Sequence, residues 1–275
     1  MTPDQARAAA ASRQDGVLEV DRVGVRFGGV VALERVSLQV AVGEIVGVIG
    51  PNGAGKTTLF NAVCGFVRPD AGSLRFRGRS LDGVRPHDLP ALGIARTLQG
   101  LGLWAGLTAL ENVMAGAAHA ARTGLGGALL GLPRAEREER ALRRRALDLL
   151  ARLDADGVAD RHPPAIPYGI QKRVALARAL MAEPTLLLLD EPASGLAADE
   201  LTHLQQVLRE LRPRMGVVLV EHHMDLVMAV CDRVVVLDSG RVIAAGTPAQ
   251  VRANQAVTVA YLGPEVTTAG AAGDA

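Results

Sequence analysis

The sequence predicts an α/β fold in which a strand–loop–helix core is preceded by antiparallel strands and interrupted by a helical insertion. Three observations predict it. The apolar run Ile45-Val46-Gly47-Val48-Ile49 passes directly into a glycine-rich loop, residues 50–58, and then into a helix. Residues 17–49 alternate apolar and polar side chains, the period of half-buried strands. From about residue 100 to 165 the spacing turns helical, before the apolar strand Thr185 to Leu189 closes on two acids, Asp190 and Glu191.

In chain order, Leu18, Val20, Val23 and Val25, then Val30 and Val31, then Val36, Leu38, Val40 and Val42 read as short, largely antiparallel strands with Gly28-Gly29 as a turn. The loop at 50–58 feeds a helix from Thr57 to Cys64. Pro69-Asp70-Ala71-Gly72 is a turn, and Ser73 to Arg77 is a strand closed by Gly78. Leu107 to Ala121 has helical spacing, and Gly124 to Pro133 is a glycine-rich break. Arg134 to Leu153 is a charged helix with Leu142, Ala146, Leu149, Leu150 and Leu153 on one face. Its arginines are interleaved with Glu136, Glu138, Glu139 and Asp148, the composition of a solvated face. Helices near Ile170 to Ala182 and Asp199 to Leu211, with strands Val217 to Val220, Val234 to Leu237 and Val242 to Ala244, complete the core.

The loop reads Gly50-Pro51-Asn52-Gly53-Ala54-Gly55-Lys56-Thr57-Thr58 and matches the phosphate-binding pattern G-x-x-x-x-G-K-[ST]. Gly50, Gly53 and Gly55 let the backbone take positive φ and approach an anion, so that successive N–H groups point into one concavity at a helix start. The ligand class is a nucleoside triphosphate with magnesium. Lys56 is one of only two lysines, beside Lys172, against twenty-eight arginines. It stands where a compact ammonium reaches the β- and γ-phosphates. The Thr57 hydroxyl suits Mg²⁺, which keeps several waters and needs few protein oxygens; Thr58 suits an α- or β-phosphate. Asp190 and Glu191 end a buried strand, and in open α/β sheets ligands bind beyond such carboxyl ends. Asp190 is the candidate to orient Mg²⁺ and Glu191 to polarise an attacking water. His222, after another apolar strand, is the candidate partner of the γ-phosphate and that water.

Composition narrows the alternatives. A chain of 275 residues forms one large domain or two small ones, and 49% hydrophobic residues suffice for a substantial core. A net charge of +1 and 3% aromatics argue against bulk attraction to nucleic acid or to stacked single strands. Cys64 and Cys231 are too few for a disulfide framework and suit buried thiols in a reducing cytosol. No apolar run approaches the roughly 18 residues of a membrane span, so work at a membrane requires partner subunits. Residues 1–16 read as a disordered leader and not as a signal peptide.

In their order, Phe27, the loop at 50–58, Gln99, Tyr168-Gly169, Asp190-Glu191 and His222 resemble the ATP-binding subunit of ABC transporters, over about residues 17–263. The resemblance implies a P-loop NTPase, RecA-like core, residues 17–98 and 169–250, with an N-terminal antiparallel β subdomain and an inserted α-helical subdomain, 99–168, before a flexible tail at 264–275. It implies that Phe27 stacks on adenine. Gln99 then senses Mg²⁺ and the attacking water, and Tyr168-Gly169 belongs to a signature that meets the ATP of the opposite subunit. The working unit is then a head-to-tail homo- or heterodimer holding two ATP. The signature departs from its usual form at Pro167 and Ile170, and the loop after the acids departs at Ala197; either this branch tolerates the departures, since a proline suits the residue ahead of a helix, or they weaken one of the two ATP sites.

Glu221-His222-His223-Met224-Asp225-Leu226-Val227-Met228, Tyr168-Gly169 and the end Ala260-Tyr261-Leu262-Gly263 resemble the branched-chain amino-acid importer branch, and the insertion around 122–145 its larger ATPase subunit. The resemblance implies a peripheral subunit at the cytoplasmic face of the inner membrane, with two integral membrane permease subunits, an external solute-binding protein and no nucleic acid. Trp104 is the candidate to dock a permease helix, with a core position as the alternative. Related subunits serve urea or amide uptake and lipopolysaccharide export. A soluble ABC ATPase and a non-hydrolysing regulatory module are the readings from other classes.

Overall fold

The structure is a computed structural model that describes residues 16–97, 101–118 and 133–262. Two compact units divide the chain, one drawn from residues up to 86 and from 208 onward, the other from 87–207. Elements are numbered along the chain.

In the first unit, β1 (Gly16–Phe27) and β2 (Val30–Ala41) pair antiparallel, from Leu18 opposite Val40 to Phe27 opposite Val30. These are two twelve-residue strands where the alternation predicts several short ones. The reason is a slip of phase inside each strand. Buried positions run Leu18, Val20 and then Val23, Val25 in β1, and Leu33 and then Val36, Leu38, Val40 in β2. Arg22 (φ 48°) and Arg35 (φ 53°) sit at the slips in left-handed conformations. One extra residue at each bulge bends the strand and keeps the apolar face inward. With β4 (Ala71–Phe76) and β5 (Arg79–Ser80) these strands form a sheet of order β2-β1-β4-β5.

The same unit carries β3 (Ile45–Ile49), β8 (Gly216–Val220), β9 (Arg233–Asp238) and β10 (Arg241–Gly246), ordered β10-β9-β3-β8. β3 runs parallel to β8 and β9, and β10 antiparallel to β9. Every residue of β3 and β8 is buried, as the continuous apolar runs require of strands covered on both faces. Helix α1 (Lys56–Val63) follows β3 and buries Leu59, Phe60, Ala62 and Val63. Three short helices of this unit escaped the sequence reading: α7 (Met224–Val230), α8 (Pro248–Arg252) and α9 (Gln255–Leu262).

The second unit pairs β6 (Ile94–Arg96) in parallel with β7 (Leu186–Asp190). Around them lie α2 (Leu89–Leu92), α3 (Ala109–Ala115), α4 (Pro133–Arg152) and α5 (Tyr168–Leu180). α6 (Ala198–Leu211) spans the boundary in the chain. Leu110, Val113, Ala146, Leu150, Leu153, Val174 and Ala177 form the buried seam of α3, α4 and α5. The expected helix from Leu107 starts instead at Ala109, because Thr108 caps it in a capping box with Glu111. The expected glycine-rich break Gly124 to Pro133 lies outside the described residues except for Pro133, which begins α4; the rest of 119–132, Gln99 and the two chain ends also lie outside them. No described helix is long and apolar enough to cross a membrane.

Candidate functional site

In the first unit the glycine-rich loop leaves β3 and wraps the side chain of its own lysine. Lys56 is buried, and its Nζ donates to the carbonyls of Gly50 (2.7 Å) and Pro51 (2.9 Å). The loop closes this tightly because two glycines have no room for a side chain. A Cβ on Gly50 would lie 2.1 Å from the Leu237 carbonyl oxygen, and one on Gly55 would lie 2.6 Å from that of Ala32. Gly55 also has φ +103°. Gly53, with open space around it, is needed only for its φ of +81°. Asn52 and Thr57 are exposed, Thr58 is half-buried, and Ala54 is buried with its carbonyl accepting from Gly240 N (3.1 Å).

β8 runs beside β3 with Val220 opposite Val48, so the loops leaving the two strands begin side by side. That brings His222 to the same edge as the glycine-rich loop. The His222 side chain is 54% exposed. Beneath it the fully buried Glu221 accepts from the backbone N–H of His222 (3.0 Å) and His223 (3.2 Å), fixing the turn that presents the imidazole. Phe27 ends β1 at 52% exposure. This excludes a core position and leaves a ring face open to a planar base.

In the second unit, Asp190 and Glu191 stand at the carboxyl end of β7, and Arg96 and Thr97 at that of β6, with Thr97 N donating to Leu188 O (3.0 Å). Asp190 is buried and its Oδ2 accepts from Arg96 (2.8 Å). Nothing in the sequence marks Arg96 as the partner of Asp190; the pairing of β6 with β7 places it there. Glu191 has φ +49°, left-handed for a residue with a side chain. Its carbonyl, with those of Pro192 and Ser194, accepts from Lys172 Nζ.

Tyr168 begins α5 with Pro167 at its N-cap (φ −54°, ψ 145°), where a proline fits ahead of the first turn. Tyr168 is 47% exposed. Gly169 is buried under the Glu200 carboxylate, which also accepts from Ala197 N (2.9 Å). Trp104 is 52% exposed, not a core residue, and carries the Arg178 guanidinium over its ring at 5.2 Å. Burial lowers the pKa of Arg178 from its usual value. The Trp104 backbone is held by Asn112, a fully buried amide that accepts from Trp104 N (2.8 Å) and donates to the carbonyls of Trp104, Leu107 and Thr108. The sequence offered no signal for Asn112 beyond a polar residue inside an apolar helix face.

The residues fit a nucleoside triphosphate and its magnesium. In the first unit the loop is a cradle that a Cβ would fill, its ammonium is already gathered at the centre, and the Thr57 hydroxyl is an oxygen donor of the kind a hard cation takes; in the second unit the Asp190 carboxylate is another donor of that kind.

The sequence matches the ABC transporter family over residues 33–194 and the branched-chain amino acid ATP-binding cassette transporter family over residues 241–263. It is 39% identical to the high-affinity branched-chain amino acid transport ATP-binding protein LivG of Salmonella typhimurium over 249 residues, covering 90% of this chain and 98% of that protein. The fold is similar to that of MJ1267, an ATP-binding cassette of an ABC transporter in its ADP conformation, with TM-score 0.77, 28% identity, and 90% and 99% of the two chains covered. It is also similar to the dimeric post-hydrolysis state of the ATP-binding cassette MJ0796 bound to ADP and Pi, with TM-score 0.71, 26% identity, and 84% and 98% covered.

Proposed function

We propose, since this chain belongs to the ABC transporter family, that it hydrolyses ATP to drive uptake of branched-chain amino acids. The observation that carries nucleotide binding is the buried Lys56 ammonium, gathered by its own loop carbonyls between two glycines that admit no side chain. The solute rests on the likeness to LivG, which spans nearly the whole of both proteins.

The roles follow from the chemistry of each group. Gly50, Pro51, Asn52, Gly53, Ala54 and Gly55 supply backbone N–H groups to the phosphates, Lys56 supplies charge, and Thr57 and Thr58 supply hydroxyls. Phe27 offers its exposed face to adenine. Thr57, Asp190 and Gln99 are assigned to magnesium, which when bound neutralises charge on the β- and γ-phosphate oxygens. Glu191 accepts a proton from the attacking water, and His222 orients that water and the γ-phosphate. Tyr168 and Gly169 serve the nucleotide of a second ATPase subunit, so the unit of function is a homo- or heterodimer. Two permease subunits, an external solute-binding protein and a position at the cytoplasmic face of the inner membrane complete the assignment. The near-neutral charge supports no role for nucleic acid. The exposed Trp104 supports docking of a permease helix.

The test is co-purification of a tagged chain from native membranes, with ATPase activity compared between wild type and Glu191→Gln. Permease subunits in the eluate, a binding protein specific for leucine, isoleucine or valine, and turnover lost in the variant are expected. A chain that emerges without membrane partners overturns the transporter role. Activity indifferent to position 191 overturns the catalytic one.

A further inference from the structure

The first turn of α5 grips the segment after β7 at three places. Lys172 Nζ donates to the carbonyl oxygens of Glu191 (3.3 Å), Pro192 (2.8 Å) and Ser194. Its ammonium also lies 5.3 Å from the centre of the Tyr168 ring. That ring packs on Gly195, where a Cβ would meet Tyr168 Cε1 at 3.1 Å and φ is +74°. One residue on, Gly169 lies against the carboxylate of Glu200, which itself accepts from Ala197 N (2.9 Å). All of these residues belong to one compact unit.

What is held in this way is an unfavourable backbone. Glu191 carries a side chain at φ +49°, a conformation that persists only where its surroundings over-determine it. Three carbonyls turned toward one point repel each other, and a single cation among them relieves that repulsion. An ammonium has three N–H donors on one small centre and can answer three acceptors from different directions. In a chain with twenty-eight arginines and two lysines, the second lysine stands at this convergence.

We infer that Lys172 is a positioning residue: it fixes the backbone that aims Glu191 and ties that aim to the placement of Tyr168 and Gly169. The inference rests on the assignment of Glu191 as the base and of Tyr168-Gly169 to the nucleotide of the second subunit. A shift of the first turn of α5 then moves the carbonyls of 191–194 with it, so engagement of one subunit's nucleotide alters turnover of the other.

The experiment compares Lys172→Met, Lys172→Arg and Glu191→Gln with wild type in the assembled transporter. It measures kcat, KM for ATP, the Hill coefficient, and hydrogen exchange of the amides at 192–196. In Lys172→Met, kcat is expected to fall by about 10- to 100-fold, the scale of a misplaced catalytic group. KM should change by no more than about threefold, since the glycine-rich loop that holds the phosphates is untouched. The Hill coefficient should fall toward one, and exchange at 192–196 should rise while the rest of the chain keeps its protection. Lys172→Arg keeps a cation with several donors, although its planar fork fits three converging carbonyls less well, and should recover part of kcat. A Lys172→Met enzyme with unchanged kcat and Hill coefficient, beside an inactive Glu191→Gln, overturns the inference and leaves the base assignment standing. Loss of kcat in step with global loss of protection, without recovery in Lys172→Arg, also overturns it. An active Glu191→Gln overturns the assignment of the base instead.

Discussion

At the residue scale, the two lysines occupy two clusters of backbone carbonyls, and neither place suits a planar guanidinium as well. Lys56 answers Gly50 and Pro51, and Lys172 answers Glu191, Pro192 and Ser194. Arginine spreads its charge over a rigid fork that matches carboxylates and phosphates, whereas an ammonium is a compact point charge. Cys231 is a different case, a thiol buried against the backbone of a strand. Cys231 sits against Gly47, where a Cβ would lie 2.9 Å from its sulfur. Burial first, and then the charges of Asp232 and Glu221, push its thiol up from 9.0 to about 12. The native chain is therefore expected to resist thiol reagents at Cys231 at pH 8.5, and the denatured chain to react at both cysteines; rapid native labelling at 231 would contradict the burial. The sign of the linkage follows. The folded state holds the proton more tightly, so this contribution is intact below pH 9 and is lost as pH rises toward 12. Denaturant melts of wild type and Cys231→Ala should therefore converge in stability across that window.

At the element scale, the loop 101–108 is held by two side chains, Asn112 and Arg178, the latter donating to the carbonyls of Leu101 and Gly102. Asn112 reaches four backbone atoms of that loop from the buried face of α3, accepting from one N–H and sharing its two Nδ2 hydrogens among three carbonyls, and Thr108 caps the same helix. Asn112→Ala strands the Trp104 N–H and the Leu107 carbonyl, while the Trp104 and Thr108 carbonyls keep backbone donors, so a destabilisation of about 2–3 kcal/mol is expected in urea melts. Trp104 should also lose its fixed position over Arg178, read as a red shift and broader tryptophan fluorescence; unchanged stability would mean that water replaces the amide. Asn112 was invisible in the sequence because an amide on an apolar face signals nothing until the carbonyls around it are placed. Thr108 was readable as a cap with Glu111 three residues on, but the periodicity drew the helix start two residues too early. The glycine-rich loop was legible residue by residue, since its geometry follows from one strand, one turn and one helix. Arg96 and Lys172 were not, because their partners, Asp190 and the carbonyls of 191–194, are distant in sequence. The bulges at Arg22 and Arg35 are an intermediate case. The change of apolar phase from Val20 to Val23 and from Leu33 to Val36 was in the sequence, but it reads equally as a strand end or as a bulge.

At the scale of the whole molecule, a net charge of +1 leaves no long-range field to draw in an anionic ligand. Affinity for ATP must come from the local cradle, and above all from Lys56. A ligand that binds only the folded state stabilises it by RT ln(1 + [L]/Kd), about 2.7 kcal/mol at a hundredfold excess over Kd. For a chain of this size each kcal/mol moves the midpoint by about 2–4 °C, so saturating Mg-ATP should raise Tm by about 5–10 °C. Lys56→Ala removes the gathered ammonium and leaves the Gly50 and Pro51 carbonyls without it, so the apo midpoint should fall by a few degrees while the ATP-dependent rise falls below about 2 °C. Glu191→Gln changes the step after binding, so its rise should match that of wild type or exceed it, because bound ATP is no longer consumed. The two variants thus separate holding the nucleotide from cleaving it, using one observable and no transported solute. A full rise in Lys56→Ala would place the binding energy in the backbone N–H groups and the exposed Phe27 face. The lysine would then act only after binding, on charge that develops as the γ-phosphate leaves, and its loss would appear in kcat alone.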